Sequence, residues 1–307
     1  MNDILNEESA YQSKIKPRSP LIAFLFSLVL PGLGQVYNGQ FIKGILFFGL
    51  LLLNPFLFGI TRGATSFYGF ILVCLIALII RIYVVIDAVR IAKQKQLYVP
   101  QKWDSWYYQL SIAVVLVAIM LAFDTKAILG IQSFKIPTAS NEPTIKTGDK
   151  IMADMQAYKN GQPNYGDIVV YEKENGQIYT FRIAGLPNDT LELNDDILKV
   201  NGKPSKSTFI KDTTAADDFE VSEFEEEFPN GQKHRIYKMK HRFDTTKSTI
   251  KNIIVPANSY YVLGDNRDNA SDSRYEGFVE SNKIYGRLVY SYLGASIDRI
   301  NVDFKNK

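Results

Sequence analysis

Apolar residues follow two rhythms in this chain: long uncharged stretches up to about residue 130, then short runs that alternate with polar residues. Residues 19–42 carry no charge, but Pro31-Gly32-Leu33-Gly34-Gln35 interrupts them and leaves only residues 21–30 as a continuous helix former. Ten residues cannot cross roughly 30 Å of hydrocarbon, so this part reads as a re-entrant or interfacial segment. Residues 44–61 and 63–80 are each uncharged over 18 positions, and the second run continues through Val84-Val85-Ile86. Residues 105–123 form a third such run, opening on Trp106-Tyr107-Tyr108, aromatic rings suited to a membrane interface. Three membrane spans are predicted. Beyond them, strands are predicted at 167–171, 178–183, 190–193, 197–200, 235–237, 259–263 and 287–291, with hairpin turns at Asn201-Gly202 and Asn230-Gly231. The acidic stretch 217–227 reads as a solvated excursion before the second turn.

The expected fold class is an α-helical membrane part, three spans plus a re-entrant segment, followed by a mainly-β domain. Its divisions are a membrane hairpin module with a cytoplasmic loop over 1–104, an anchor over 105–130 and the β domain over 131–307. Averages hide this: 46% hydrophobic residues, 22% charged and a net charge of +3 describe an ordinary soluble protein. Divided at residue 130, the chain carries +5 before and −2 after. That balance excludes nucleic acid as a partner and points to a lipid bilayer.

Lys14, Lys16 and Arg18 precede the first stretch, and Arg90, Lys93, Lys95 and Lys102 separate the second span from the third. The turn between the first two spans has only Arg62. The N-terminus and the 90–104 loop are therefore expected in the cytoplasm and the β domain outside it, in a multi-pass protein of the plasma (inner) membrane. A Pro-Gly turn stands where a cleavable signal peptide would have an Ala-x-Ala site. Cys74 is the one cysteine, which rules out a disulfide framework and a cysteine-based metal site. Arg81 and Asp87, at the inner end of span two, are expected to snorkel to the interface. The run Pro31 to Gly39, with Lys43-Gly44, resembles the turn of a membrane-hairpin module found in many bacterial proteins.

Three segments of the β part carry chemistry. Phe134-Lys-Ile-Pro-Thr-Ala-Ser-Asn-Glu-Pro-Thr144, then Gly148-Asp149, resembles the nucleophile segment of type I signal peptidases, Ile-Pro-Ser-x-Ser-Met-x-Pro-Thr followed by Gly-Asp. Arg182-Ile-Ala-Gly-Leu-Pro-Asn-Asp189 is similar to the family's Lys-Arg-Val-x-Gly-Leu-Pro-Gly-Asp. Gly264-Asp-Asn-Arg-Asp-Asn-Ala-Ser-Asp-Ser-Arg-Tyr-Glu-Gly277 is similar to its last box, Gly-Asp-Asn-Arg-Asp-Asn-Ser-x-Asp-Ser-Arg-Tyr-x-Gly. The resemblance covers about residues 105–300. It implies a β fold whose serine cuts signal peptides of exported preproteins after small residues, with no cofactor. Ser140 matches the nucleophile, and Thr138 matches a serine whose hydroxyl helps hold the oxyanion.

A serine hydroxyl needs a base, which in this family is a desolvated, uncharged lysine. Phe181 stands in that lysine's place, and Ala270 replaces the serine that hydrogen-bonds it. Asn141 replaces the methionine after the nucleophile. The resemblance makes Arg182, Asp265, Ala270, Asp272 and Arg274 structural at the site, with Asp272–Arg274 an ion pair and Asp265, Asp268 and Asp272 not a metal cluster. Arg182 should face away from residue 181, and Lys135, Lys146 and Lys150 have nothing to bury their amines. His234 and His241 are expected on the solvated surface. Two readings stay open: a membrane-bound serine endopeptidase of low activity or with a relocated base, and a non-catalytic homologue that binds signal peptides or apolar extended segments uncut, beside an active paralogue or the secretion machinery. In a third, the hairpin module is the active part.

Overall fold

The computed structural model describes residues 16–100, 104–194, 197–241, 249–294 and 296–305; Lys14 and Lys102 lie outside them. The chain forms two compact units, one of residues 1–64 and 68–129, the other of 65–67 and 130–307.

The first unit is helical. Ser19 caps α1 (Pro20–Val29), which opens on a proline with no N–H to satisfy, and Pro31-Gly32 ends it. Gly32 turns the chain at φ +91°, and a Cβ there would lie 2.1 Å from the Gly44 carbonyl oxygen, so only glycine fits. Then come α2 (Leu33–Tyr37), α3 (Phe41–Ile60), α4 (Phe67–Gln94), α5 (Trp106–Ala122) and α6 (Thr125–Leu129). Among the described residues two helices, α3 and α4, have the length and apolarity to cross a membrane, whereas α5 is shorter at 17 residues.

Arg81 and Asp87, expected to snorkel, each find partners on neighbouring helices. Asp87 accepts hydrogen bonds from Lys43 Nζ at 2.6 Å and Gln35 Nε2 at 3.1 Å, and Arg81 donates to the Leu28 carbonyl. Gln35 also donates to the Val84 carbonyl at 2.7 Å, and Asn38 to that of Ala88 at 2.7 Å. Polar groups among apolar helices are costly unless paired, and here α2 and α3 bring the partners to α4.

The second unit is mainly β. Its largest sheet has the order β1 (Ile131–Lys135), β2 (Lys150–Asp154), β14 (Ile284–Leu293), β3 (Ile168–Glu172), β4 (Ile178–Gly185), β12 (Ser259–Leu263) and β13 (Val279–Glu280), with each neighbouring pair antiparallel. A second sheet joins β11 (Ile250–Ile254), β5 (Thr190–Asn194), β6 (Ile197–Val200) and β7 (Lys203–Pro204). A third joins β10 (Lys233–Met239), β9 (Glu220–Glu227) and β8 (Lys206–Thr214). The short helix α7 (Ser273–Glu276) follows β12. Alternating positions bury Ile151, Ala153, Ile168, Val170 and Leu288 in one core, and Val169, Phe181, Ile183 and Val262 in another. Asn201 and Gly202 adopt φ +51° and +77° between β6 and β7, the conformation a two-residue hairpin requires.

The acidic stretch is not a solvated excursion. Most of it is β9, the middle strand of its sheet, and Glu223 and Glu226 are buried because they meet cations from neighbouring segments. Its partner β8 escaped the sequence pattern because eight of its nine residues are exposed, so no alternation marks it.

Candidate functional site

Ser140 sits in the turn that links β1 to β2, the first two strands of the large sheet. The loop after β12 fastens this turn from below: the Asn266 amide donates to the Ser140 carbonyl at 3.1 Å, and Asn266 Nδ2 to that of Ala139 at 3.2 Å. Thr138 Oγ1 lies 3.5 Å from Ser140 Oγ, so the two hydroxyls meant for nucleophile and oxyanion support stand together. Both face a cleft of ≈ 630 Å³ with residues 134–138 on one wall and 177–181 on the other.

Phe181 is buried at 3% exposure, on the face of β4 opposite to Arg182, and shares a core with Ala270. Gly264 shows how tightly they meet: a Cβ there would lie 2.3 Å from Ala270 Cβ, 2.7 Å from the Ser140 carbonyl oxygen and 3.2 Å from Phe181 Cε1. Phe181 and Ala270, the positions at which the resemblance expects a lysine and its serine partner, thus converge beside the Ser140 carbonyl, as an apolar contact. Lys135 is the one amine lining the cleft among the described residues, and it is exposed.

Beneath the cleft, Arg182 makes a two-pronged ion pair with Asp265, Nε to Oδ1 at 2.8 Å and Nη2 to Oδ2 at 2.7 Å, and donates to the Gly166 carbonyl at 2.8 Å. Asp272 receives the Gly264 amide at 2.8 Å and pairs with Arg274 at 2.8 Å. Asp268 receives the Met239 amide at 2.7 Å. These carboxylates are engaged by arginines and backbone N–H groups around the loop.

His234 corrects an expectation: it is buried, stacked on Phe228 with ring centroids 4.5 Å apart, and its Nε2 lies 3.1 Å from Glu226 Oε2. Glu226 also accepts from Arg267 and from Ser205 Oγ at 3.1 Å. Strand β10 carries His234 inward because Tyr237 bonds the site loop on both sides, its amide to the Asp265 carbonyl at 2.8 Å and its carbonyl to the Arg267 amide at 2.9 Å. In sequence, a histidine within a lysine- and arginine-rich run gives no sign of this.

Burial pushes the His234 imidazole below its ordinary 6.5, and the nearby Arg182 charge pushes the same way. Burial alone would raise Glu226 and Asp265, but Arg267 and His234 bring the first, and Arg182 the second, below the usual carboxylate range. Between 6.5 and its lowered folded value, His234 binds a proton only when unfolded, so stability falls as the pH drops. Glu226 and Asp265 stabilise fully above their unfolded values of 4.5 and 3.8 and lose this as the pH falls through their lower folded values. Thermal midpoints followed by circular dichroism should therefore decline in two stages on acidification, and His234→Gln should remove the first and shrink the Glu226 part of the second. Identical profiles for both proteins between pH 7 and 5 would refute this.

Residues that sequence reasoning missed are Asn266, Gly264 and Thr180. The first two lie within the recognised last box, but nothing in its spelling says that their backbone meets Ser140.

Residues 104–293 match the family described as "Signal peptidase, peptidase S26". Signal peptidase IB of Staphylococcus aureus (strain MRSA252) is 25% identical over 201 residues, covering 66% of this chain and 95% of the relative. Signal peptidase I of Rickettsia typhi is 28% identical, covering 65% of this chain and 82% of its own. The crystal structure of a signal peptidase I from Enterococcus faecalis V583 aligns at 27% identity and a TM-score of 0.25, covering 42% of this chain and 97% of that one.

Proposed function

This chain belongs to the signal peptidase family, peptidase S26, which acts on signal peptides of exported proteins, and from that membership we propose that it binds such peptides in the cleft beside Ser140 and leaves them essentially uncut. The observation that carries this reading is Phe181. A buried aromatic ring, closed against Ala270, occupies the place from which an amine would take the proton of Ser140, and a ring carbon cannot accept it.

The cleft itself suits an extended chain. Strand β1 ends its sheet, and among the described residues no strand pairs with residues 178–181 on the side away from β3. Both walls therefore offer unpaired edges, to which an extended peptide adds as a strand. In the membrane, we propose three spans, α3, α4 and the shorter α5 within an anchor over 105–130. The N-terminus and the 90–104 loop face the cytoplasm, and the β domain over 131–307 lies on the outer side of the plasma membrane, where peptides emerge from the bilayer. Cutting would fall to an active paralogue.

The test incubates the detergent-solubilised full chain with a preprotein bearing an Ala-x-Ala site. Product should not exceed that of Ser140→Ala, while both proteins bind a labelled signal peptide equally. Ser140-dependent product formation at ordinary peptidase turnover would sink the proposal and revive a relocated base.

A further inference from the structure

We propose that Asn141 sets the preference of this cleft, favouring extended peptides that place a small hydroxyl-bearing side chain beside Ser140. The proposal rests on the peptide-binding reading above and names the class of peptide.

Asn141 is 5% exposed and lines the cleft next to Ser140. Its Nδ2 donates to the Thr180 carbonyl at 2.7 Å and lies 3.2 Å from Thr180 Oγ1. A carbonyl can only accept, so the amide nitrogen must face it, which turns Oδ1 away from β4. No hydrogen bond within the chain reaches Oδ1, yet it is not among the sealed, unpartnered buried atoms. It is an open acceptor in a cleft wall.

The Thr180 carbonyl is on the open edge of β4. Ile183 exchanges both backbone bonds with Gly166 and Asp167, on the side of β3, and strand alternation points the backbone groups of a residue three positions earlier to the other side. The Asn141 side chain thus supplies the donor that a neighbouring strand would supply there, and presents its oxygen to whatever lies beside it. With the hydroxyls of Thr138, Ser140 and Thr180, it gives the pocket a polar lining that a methionine thioether would not. An apolar residue covering this acceptor strips its water without replacement, whereas a hydroxyl donates to it.

Fluorescence anisotropy with the solubilised full chain would compare labelled signal peptides that differ only in the small residue set beside Ser140: alanine, serine, or α-aminobutyrate, which matches serine in shape without its hydroxyl. Serine should bind about 5- to 10-fold tighter than α-aminobutyrate, one neutral hydrogen bond's worth. Asn141→Met should erase the difference while keeping the α-aminobutyrate peptide bound. Asn141→Ser, short enough for the same space, should erase it too, should methionine impair folding. Equal affinities in the unaltered protein, or an unchanged ratio in the variants, would overturn the role of Asn141 while leaving peptide binding intact. If none of the three peptides binds, both proposals fall.

Discussion

Phe181→Lys combined with Ala270→Ser should convert the chain into a cutting enzyme, raising Ser140-dependent cleavage of a preprotein by about 10² to 10⁴-fold, the usual contribution of a positioned base. Both positions border Gly264, whose missing side chain keeps Ala270, Phe181 and the Ser140 carbonyl within reach of one point. A lysine introduced there would share Phe181's burial, and desolvation would lower its pKa toward a value at which it is uncharged and able to take a proton. The serine introduced opposite would accept a hydrogen bond from the amine, so that it is not left unpaired in an apolar core. Phe181→Lys alone should gain less for that reason. Cleavage would be followed on gels with the labelled preprotein, with Ser140→Ala added to the double variant as the control. A double variant that folds, binds the peptide and still does not cut would show that more than the base is missing.

Removing the Arg182 guanidinium should be the most destabilising single change at the site. Arg182→Met would leave the Asp265 carboxylate, 1% exposed, without its two charged hydrogen bonds, and would empty the donor to Gly166. Breaking a buried pair from one side costs about 3–5 kcal/mol, because the remaining charge stays desolvated and uncompensated. Pulse proteolysis across a urea series would measure it. Arg182→Met with Asp265→Leu should recover most of the loss, since two apolar side chains leave no orphaned charge. If the single variant lost less than 1 kcal/mol, the pair would not be what holds the site loop beneath the cleft.

Much of this protein was legible along the chain. The strands anticipated at 167–171, 178–183, 190–193, 197–200, 235–237, 259–263 and 287–291 all fall within or beside observed strands, since period-two alternation marks those with one buried face, and the two buried on both faces, 168–172 and 259–263, are short runs rich in β-branched and aromatic residues. Ser140, Thr138, Phe181 and Ala270 could be named because short boxes preserve local spelling. The observed ion pair between Asp272 and Arg274 was equally within reach, being two residues apart. Less was legible where burial depends on a partner far away in sequence. Glu226 and His234 look like surface residues in their own charged runs, and they are buried because β10 docks on the 265–267 loop and Arg267 meets Glu226. Arg81 and Asp87 look like ends of a span, yet Leu28, Gln35 and Lys43 meet them from other helices.

The sequence by itself therefore determined the division into an apolar helical part and a β part, the family, and the phenylalanine at position 181 within its motif, because hydropathy, periodicity and motif spelling are all local. Tertiary structure alone decided that Phe181 and Ala270 close on the Ser140 carbonyl over Gly264, and that Asn141 reaches across to Thr180. Those contacts join residues 39 to 130 positions apart, and only the pairing of β4 with β12 and the return of the 264–270 loop bring them together. A one-dimensional pattern records which side chains are apolar or charged, but not which distant ones complete their burial or their hydrogen bonds.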